Sequence, residues 1–280
     1  MCELLALSTS QLSHLTFSLH TLAARGSGGG DTHDGWGVAF YQGDDVALFR
    51  EPLAAGDSAL VRYLETGGPS TRLAISHIRH ATRGTLQLSN TQPFVRELGG
   101  RTHVFAHNGD LPDIERHVVL APGSYIPVGQ TDSEHAFCVL LTRMRPLWKQ
   151  SGTPTLEARL LVLAEFAAEL RVLGQANFLY ADGDALFAHS DQRRQPVSGR
   201  VAPPGLWMLQ RHCSSADPAS TSQAGVAIQN GDSAALFVAS VPLTQEAWQP
   251  MGEGELLAVR GGEVLIRWPA TSNKPIPDIS

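Results

Sequence analysis

Asn177-Phe178-Leu179-Tyr180-Ala181-Asp182-Gly183-Asp184-Ala185-Leu186-Phe187-Ala188-His189 reads as two short apolar strands, Phe178 to Ala181 and Ala185 to His189, joined through an Asp-Gly-Asp turn. The pattern continues toward the C-terminus. Gly205 to Leu209, Ala224 to Ile228, Ala235 to Ala239, Leu256 to Arg260 and Val264 to Trp268 are runs of strand length, several separated by Gly or Asp. Moving the other way, Leu156 to Leu173 predicts a helix strongly apolar on one face. Thr131-Asp132-Ser133-Glu134 opens another, with Thr131 and Glu134 spaced as a capping box and Pro146 expected to stop it near Arg145.

The first half adds strands at Leu73 to Ile78 and Thr102 to Ala106, a hairpin of Val38 to Tyr41 with Val46 to Arg50 turning at Gly43-Asp44, and a short helix from Ser58 to Glu65 with Asp57 or Ser58 as its cap. After the apolar start Leu4 to Leu7, Ser10 to Ala24 predicts a helix, and Arg25 to Asp31 a glycine-rich loop, better read as a lid than as a phosphate cradle because no Gly-Lys-Ser/Thr follows. Strands in both halves with helices between them imply an α+β layered protein with largely antiparallel sheets. Only residues 271–280, with Pro275 and Pro277, read as a loose tail beyond a single domain of residues 1–270.

With 280 residues, 42% of them hydrophobic, the chain can bury a sizeable core. A net charge of -6 and no long basic run argue against a nucleic-acid surface. Cys2, Cys138 and Cys213 are far apart and odd in number, which fits a reducing compartment and no disulfide framework. The N-terminus carries Glu3 and only a short apolar stretch, so neither a signal peptide nor a membrane span is expected, and the protein reads as cytoplasmic. His77, His80, His103 and His107 lack metal-site spacing and read as satisfied core or loop residues.

Cys2 directly follows Met1. Removal of that one residue, as aminopeptidases do before a small side chain, places a thiol and a free α-amine on one residue, with ordinary pKa values of about 8.5 and about 7.7 to 8.0. A lone Cys is otherwise a small buried hydrophobe, so the other motifs decide. They are Ser76-His77-Ile78-Arg79-His80-Ala81-Thr82-Arg83-Gly84, Phe105-Ala106-His107-Asn108-Gly109-Asp110-Leu111 and Gln130-Thr131-Asp132-Ser133-Glu134. With Met1-Cys2 they resemble, in order, the class II glutamine amidotransferases, an N-terminal nucleophile hydrolase family. The likeness is closest to the stand-alone, single-domain type, which also shows a loop like Arg25 to Gly30, an Asp34-Gly35-Trp36-Gly37 stretch and a late strand like Ala239-Ser240-Val241-Pro242-Leu243-Thr244.

That resemblance implies a four-layer αββα sandwich with Cys2 at the start of the first strand. It implies that Cys2 attacks a γ-amide carbonyl while its own α-amine takes the thiol proton, giving a γ-glutamyl thioester. The Asn108 side-chain amide and the Gly109 backbone N–H would stabilise the oxyanion. Arg79, a planar always-charged fork, would grip the substrate α-carboxylate with Thr82 as a weaker candidate, and Asp132 the α-ammonium. Each has a plainer structural reading: an Asn-Gly turn, a surface ion pair, a carboxylate on a helix dipole. His80, Arg83 and Gln92 depart from the synthase-fused members and are expected to line or flank the pocket entrance, where they put the leaving group and acceptor in question.

The implied substrate is glutamine or a larger γ-glutamyl amide such as a glutathione-like or ergothioneine-precursor thiol, and the implied partner is a separate ammonia-accepting synthase. No cofactor, metal, nucleic acid or membrane is required. A module that binds γ-glutamyl metabolites without turning them over is the reading from a different class, and retention of Met1 would favour it.

Overall fold

A computed structural model describes residues 2–14, 34–80, 85–149, 152–213, 222–223, 226–227 and 233–269. The strands are β1 (Glu3–Ser13), β2 (Trp36–Gln42), β3 (Asp45–Glu51), β4 (Thr71–Ile78), β5 (Phe94–Leu98), β6 (Arg101–Asn108), β7 (Asn177–Ala181), β8 (Leu186–Ser190), the two-residue pair β9 (Arg193–Arg194) and β10 (Val201–Ala202), β11 (Trp207–Cys213), the pair β12 (Ser222–Gln223) and β13 (Val226–Ala227), β14 (Ser233–Ala239), β15 (Gln249–Pro250), β16 (Glu255–Arg260) and β17 (Glu263–Trp268). The helices are α1 (Ala59–Gly67), α2 (Ile114–His117), α3 (Asp132–Trp148) and α4 (Leu156–Leu173). One sheet runs β15-β11-β14-β1-β4-β2-β3 and the other β17-β16-β8-β7-β6-β5. Every neighbouring pair in both is antiparallel.

Strand parity explains the layers. In β1, Leu4 and Ala6 face the space between the sheets with Ile75, Val104, Ala106, Leu179, Leu186 and Leu257, whereas Leu5 and Leu7 face the other way with Trp36, Phe40, Val61 and Leu64. Because both faces are covered, β1 is a continuous apolar run rather than an alternation. The outer face of the second sheet buries Phe105, Phe178 and Phe187 against Phe137, Leu140, Leu163 and Phe166 of α3 and α4. Phe105 stacks on Phe137 with centroids 5.4 Å apart. Helix α1 covers the first sheet through Val61 and Leu64. The result is the αββα sandwich.

Three local expectations change. The helix from Ser10 to Ala24 does not begin there: β1 runs on to Ser13, and the Ser10 hydroxyl accepts from Ala234 N at 3.0 Å, so neighbours on the sheet override local preference. Residues 15–24 of that segment, and the Gly26 to Gly30 loop, lie outside the described residues, as do most of Ala224 to Ile228. Helix α3 passes through Pro146 to Trp148, because the buried Trp148 ring, packed edge-on against His103 at 4.9 Å, supplies apolar burial that holds the last turn. The capping box is half formed. Thr131 Oγ1 accepts from Glu134 N at 3.2 Å, but the Glu134 carboxylate turns away to accept from Val128 N at 3.1 Å, Gly129 N at 2.6 Å and Arg96 at 2.5 Å. Ser58, not Asp57, caps α1 through Val61 N. Among the described residues no helix is long and apolar enough to cross a membrane.

Candidate active site

The sandwich gathers strand ends at one edge. Glu3 opposes Ile78, Trp36 opposes the same Ile78, and Asn108 opposes Asn177, so the starts of β1, β2 and β7 meet the ends of β4 and β6. Cys2 stands just before β1, half-buried, with its thiol donating to His80 O at 3.4 Å and its sulfur accepting from His80 N at 3.3 Å. Burial pushes the Cys2 thiol pKa up, and the His80 amide and the nearby Arg79 charge oppose that rise.

Arg79 directly follows β4 and is buried. Its backbone N–H donates to Gly35 O at 2.8 Å and its Nη1 to Thr85 O at 3.3 Å. Burial lowers the guanidinium pKa, while Cys2 and Asp34 oppose that fall, so the fork stays charged and within electrostatic reach of the thiol. The Asp34-Gly35-Trp36-Gly37 stretch is what lets this loop close. A Cβ at Gly37 would stand 2.3 Å from Gln92 O, and Trp36 Nε1 donates to Glu51 at 3.1 Å.

Asn108 ends β6 and donates from Nδ2 to Cys2 O at 2.6 Å, with Ser240 Oγ 3.4 Å away as a second acceptor. Its backbone oxygen accepts from Asn177 Nδ2 at 3.1 Å. Glycine at 109 has a reason inside the protein: a Cβ there would lie 1.7 Å from Gln175 O. The turn after Asn108 is thus pressed against the segment that follows α4.

Asp132 opens α3 and is buried. Its Oδ2 accepts from Leu111 N at 2.8 Å and its Oδ1 from Ser133 N at 2.7 Å, which pins the carboxylate to the turn after Asn108 and leaves lone pairs for a further donor. His107 ties the same two elements. Its Nε2 lies 3.0 Å from Gln175 O, which can only accept, so Nε2 carries the proton and Nδ1 accepts from the Ser133 hydroxyl at 3.0 Å. Burial lowers the His107 pKa, opposed by Asp132, in keeping with a neutral ring.

The structure brings Cys2, Arg79, Asn108, Gly109 and Asp132 to one edge, and Thr82 lies outside the described residues. Two expectations are corrected. Gln92 is buried rather than at an entrance, and it clasps β6 by accepting from His107 N at 2.6 Å and donating to His107 O at 3.1 Å. His103 is satisfied by Tyr180 and Leu98, but His77 is not: both its ring nitrogens are buried without a partner, and burial takes its pKa down to about 3. Position 77 faces the apolar layer between the sheets, as Leu73 and Ile75 do on the same strand, which is why nothing nearby bonds it. Among the described residues no group of three or more His, Cys, Asp or Glu side chains is arranged to hold a metal ion.

Sequence reasoning missed a buried group behind Cys2. Arg193 donates to Glu3 Oε1 and to Ser240 O, each at 2.5 Å, and the Ser240 hydroxyl accepts from Leu4 N at 3.0 Å. Burial raises the Glu3 pKa to about 7, with Arg193 opposing. The one signal was the late Ala239-Ser240 stretch, whose neighbours in space lie from 47 (Arg193) to 236 (Leu4) residues away in sequence.

A family model described as class II glutamine amidotransferases matches residues 1–278. The Escherichia coli protein YafJ, itself assigned provisionally as a glutamine amidotransferase, is 34% identical over 257 residues, covering 91% of this chain and 96% of its own. A crystal structure of a predicted glutamine amidotransferase from Pseudomonas aeruginosa is 37% identical, covers 95% of this chain and all of that one, and superposes with a TM-score of 0.68. The Bacillus subtilis glutamine phosphoribosylpyrophosphate amidotransferase shares the fold at 17% identity and a TM-score of 0.54, this chain spanning 50% of its length. On the family match and these likenesses, the chain belongs to the class II glutamine amidotransferases.

Proposed function

We propose that the protein, once Met1 is removed, cleaves the γ-amide of glutamine or of a γ-glutamyl compound through a thioester on Cys2. The observation that carries this reading is the contact of the Asn108 amide with the Cys2 carbonyl at 2.6 Å, which sets an oxyanion donor beside the nucleophile. The raised thiol pKa favours one form of the step. A preformed thiolate is disfavoured at neutral pH, so a base must remove the proton as the sulfur attacks, and a liberated α-amine with its ordinary pKa of about 7.7 to 8.0 suits that task. The C–S bond forms, the C–N bond breaks, and the proton passes to the departing amine. Water then releases glutamate. Arg79 and Asp132 carry opposite charges and together suit a zwitterionic amino-acid head group. The Gly109 N–H serves as the second oxyanion donor.

Turnover of glutamine and of a panel of γ-glutamyl amides, together with mass-spectrometric labelling by a glutamine-like diazoketone, tests the reading. Modification of Cys2 and release of amine are expected. Preference for a larger γ-glutamyl amide over glutamine would assign the amine released, and retention of Met1 with no turnover would overturn the reading in favour of a binding module.

A further inference from the structure

Ser240 follows β14 and is fully buried, and the late strand motif around it finds no use in the chemistry above. Its backbone N–H donates to Leu4 O at 3.0 Å, while Leu4 N donates to its hydroxyl at 3.0 Å. One serine thus holds both backbone groups of the second residue after the nucleophile. The same hydroxyl oxygen faces Asn108 Nδ2 at 3.4 Å. Having accepted on its lone pairs, the hydroxyl still needs an acceptor for its own proton. The Glu3 carboxyl lies beside it, with Oε1 bonded to Arg193 and Oε2 buried without a hydrogen-bond partner. Arg193 reaches round to the Ser240 carbonyl at 2.5 Å and closes the ring of contacts.

The Asn108 amide has two hydrogens on Nδ2. One is held tightly by Cys2 O at 2.6 Å. The other points at Ser240 across a long, weak contact that an incoming oxyanion can displace at small cost. A single acceptor lets the amide pivot about that bond, whereas two fix its plane. We propose that Ser240 is a positioning residue for amide cleavage, setting the distance between Cys2 and the Asn108 oxyanion donor and holding the free N–H of Asn108 in the orientation the transition state needs. This rests on the thioester reading above. Ser240 touches no substrate and acts only through Leu4 and Asn108.

Steady-state kinetics with a γ-glutamyl anilide, and inhibition by a γ-glutamyl aldehyde that forms a tetrahedral adduct, test the proposal. Ser240→Ala should lower kcat about tenfold, less than the 10² to 10³ seen when a direct donor is lost, with KM and glutamate affinity within about twofold of wild type. Aldehyde affinity should fall in step with kcat. Ser240→Cys keeps the side-chain size and weakens the acceptor, so its loss should be smaller and in the same direction. Unchanged kcat in both variants, or losses shared equally by KM, would overturn the proposal while leaving the thioester reading intact. Absence of turnover by wild-type enzyme would overturn both.

Discussion

The space between the two sheets has two characters within a few residues. Along most of its length Leu4, Ala6, Ile75, Val104, Ala106 and Leu179 meet with no polar atom among their side chains. At the Cys2 edge the same strands continue into Cys2 and Asn108, whose contacts are hydrogen bonds, and into His77, whose buried ring is neutral and without a hydrogen-bond partner. The two regions share backbone, register and side-chain parity. What differs is whether the inward position carries carbon or a heteroatom, so the scaffold fixes where each side chain stands and the residue type alone turns a packed position into a reactive one.

If that division is real, substitutions at the polar edge should remove activity with little loss of stability, and substitutions in the apolar layer should do the reverse. The largest effect is expected for Cys2→Ala, which should abolish turnover while isothermal titration with a non-hydrolysed glutamine analogue still reports binding through Arg79 and Asp132; retained activity would break the comparison at once. Ile75→Ala should cost about 2 to 5 kcal/mol in urea unfolding, with kcat per folded molecule unchanged.

The third prediction concerns pH. His77, His103 and His189 have folded pKa values of about 3, about 4 and about 4, all depressed by burial below the ordinary 6.5, so their contribution is present above pH 6.5 and is lost as pH falls toward those values. Glu3 works in the opposite sense, because its pKa is raised from 4.5 to about 7 and the folded state takes up that proton first. The histidines, with His107 lowered in the same sense, outweigh Glu3, so stability should fall between about pH 7 and about pH 5.5, measurable as a lower urea midpoint. A midpoint independent of pH over that range would show that these rings are not buried neutral. The smallest effect is expected for Arg79→Lys, where a point charge replaces a fork: KM should rise roughly tenfold with kcat little changed.

What the sequence disclosed depended on how local the cause was. The Thr131 and Ser58 caps were legible because a cap is decided within four residues, and β7 with β8 because two apolar runs flank a turn. Cys2, Arg79, Asn108 and Asp132 stood out through ordered motifs. The helix predicted from Ser10 failed because β1 is held by β4 and by β14, whose residues begin at 233. The helix end at Pro146 failed because Trp148 packs against His103, far away in sequence. Gln92 drew notice only as a departure from pattern, and its clasp on His107 needed coordinates to appear.

The place of β1 inside its sheet bears on how the enzyme is made. Its two flanking partners are supplied by residues 71–78 and 233–239, so β1 stays without one neighbour until residues 233–239 have been made. Pairing over such separations places folding toward the slow end of the range. The contact of Ser240 with Leu4 forms only when that late strand docks, so this edge of the sheet is completed late.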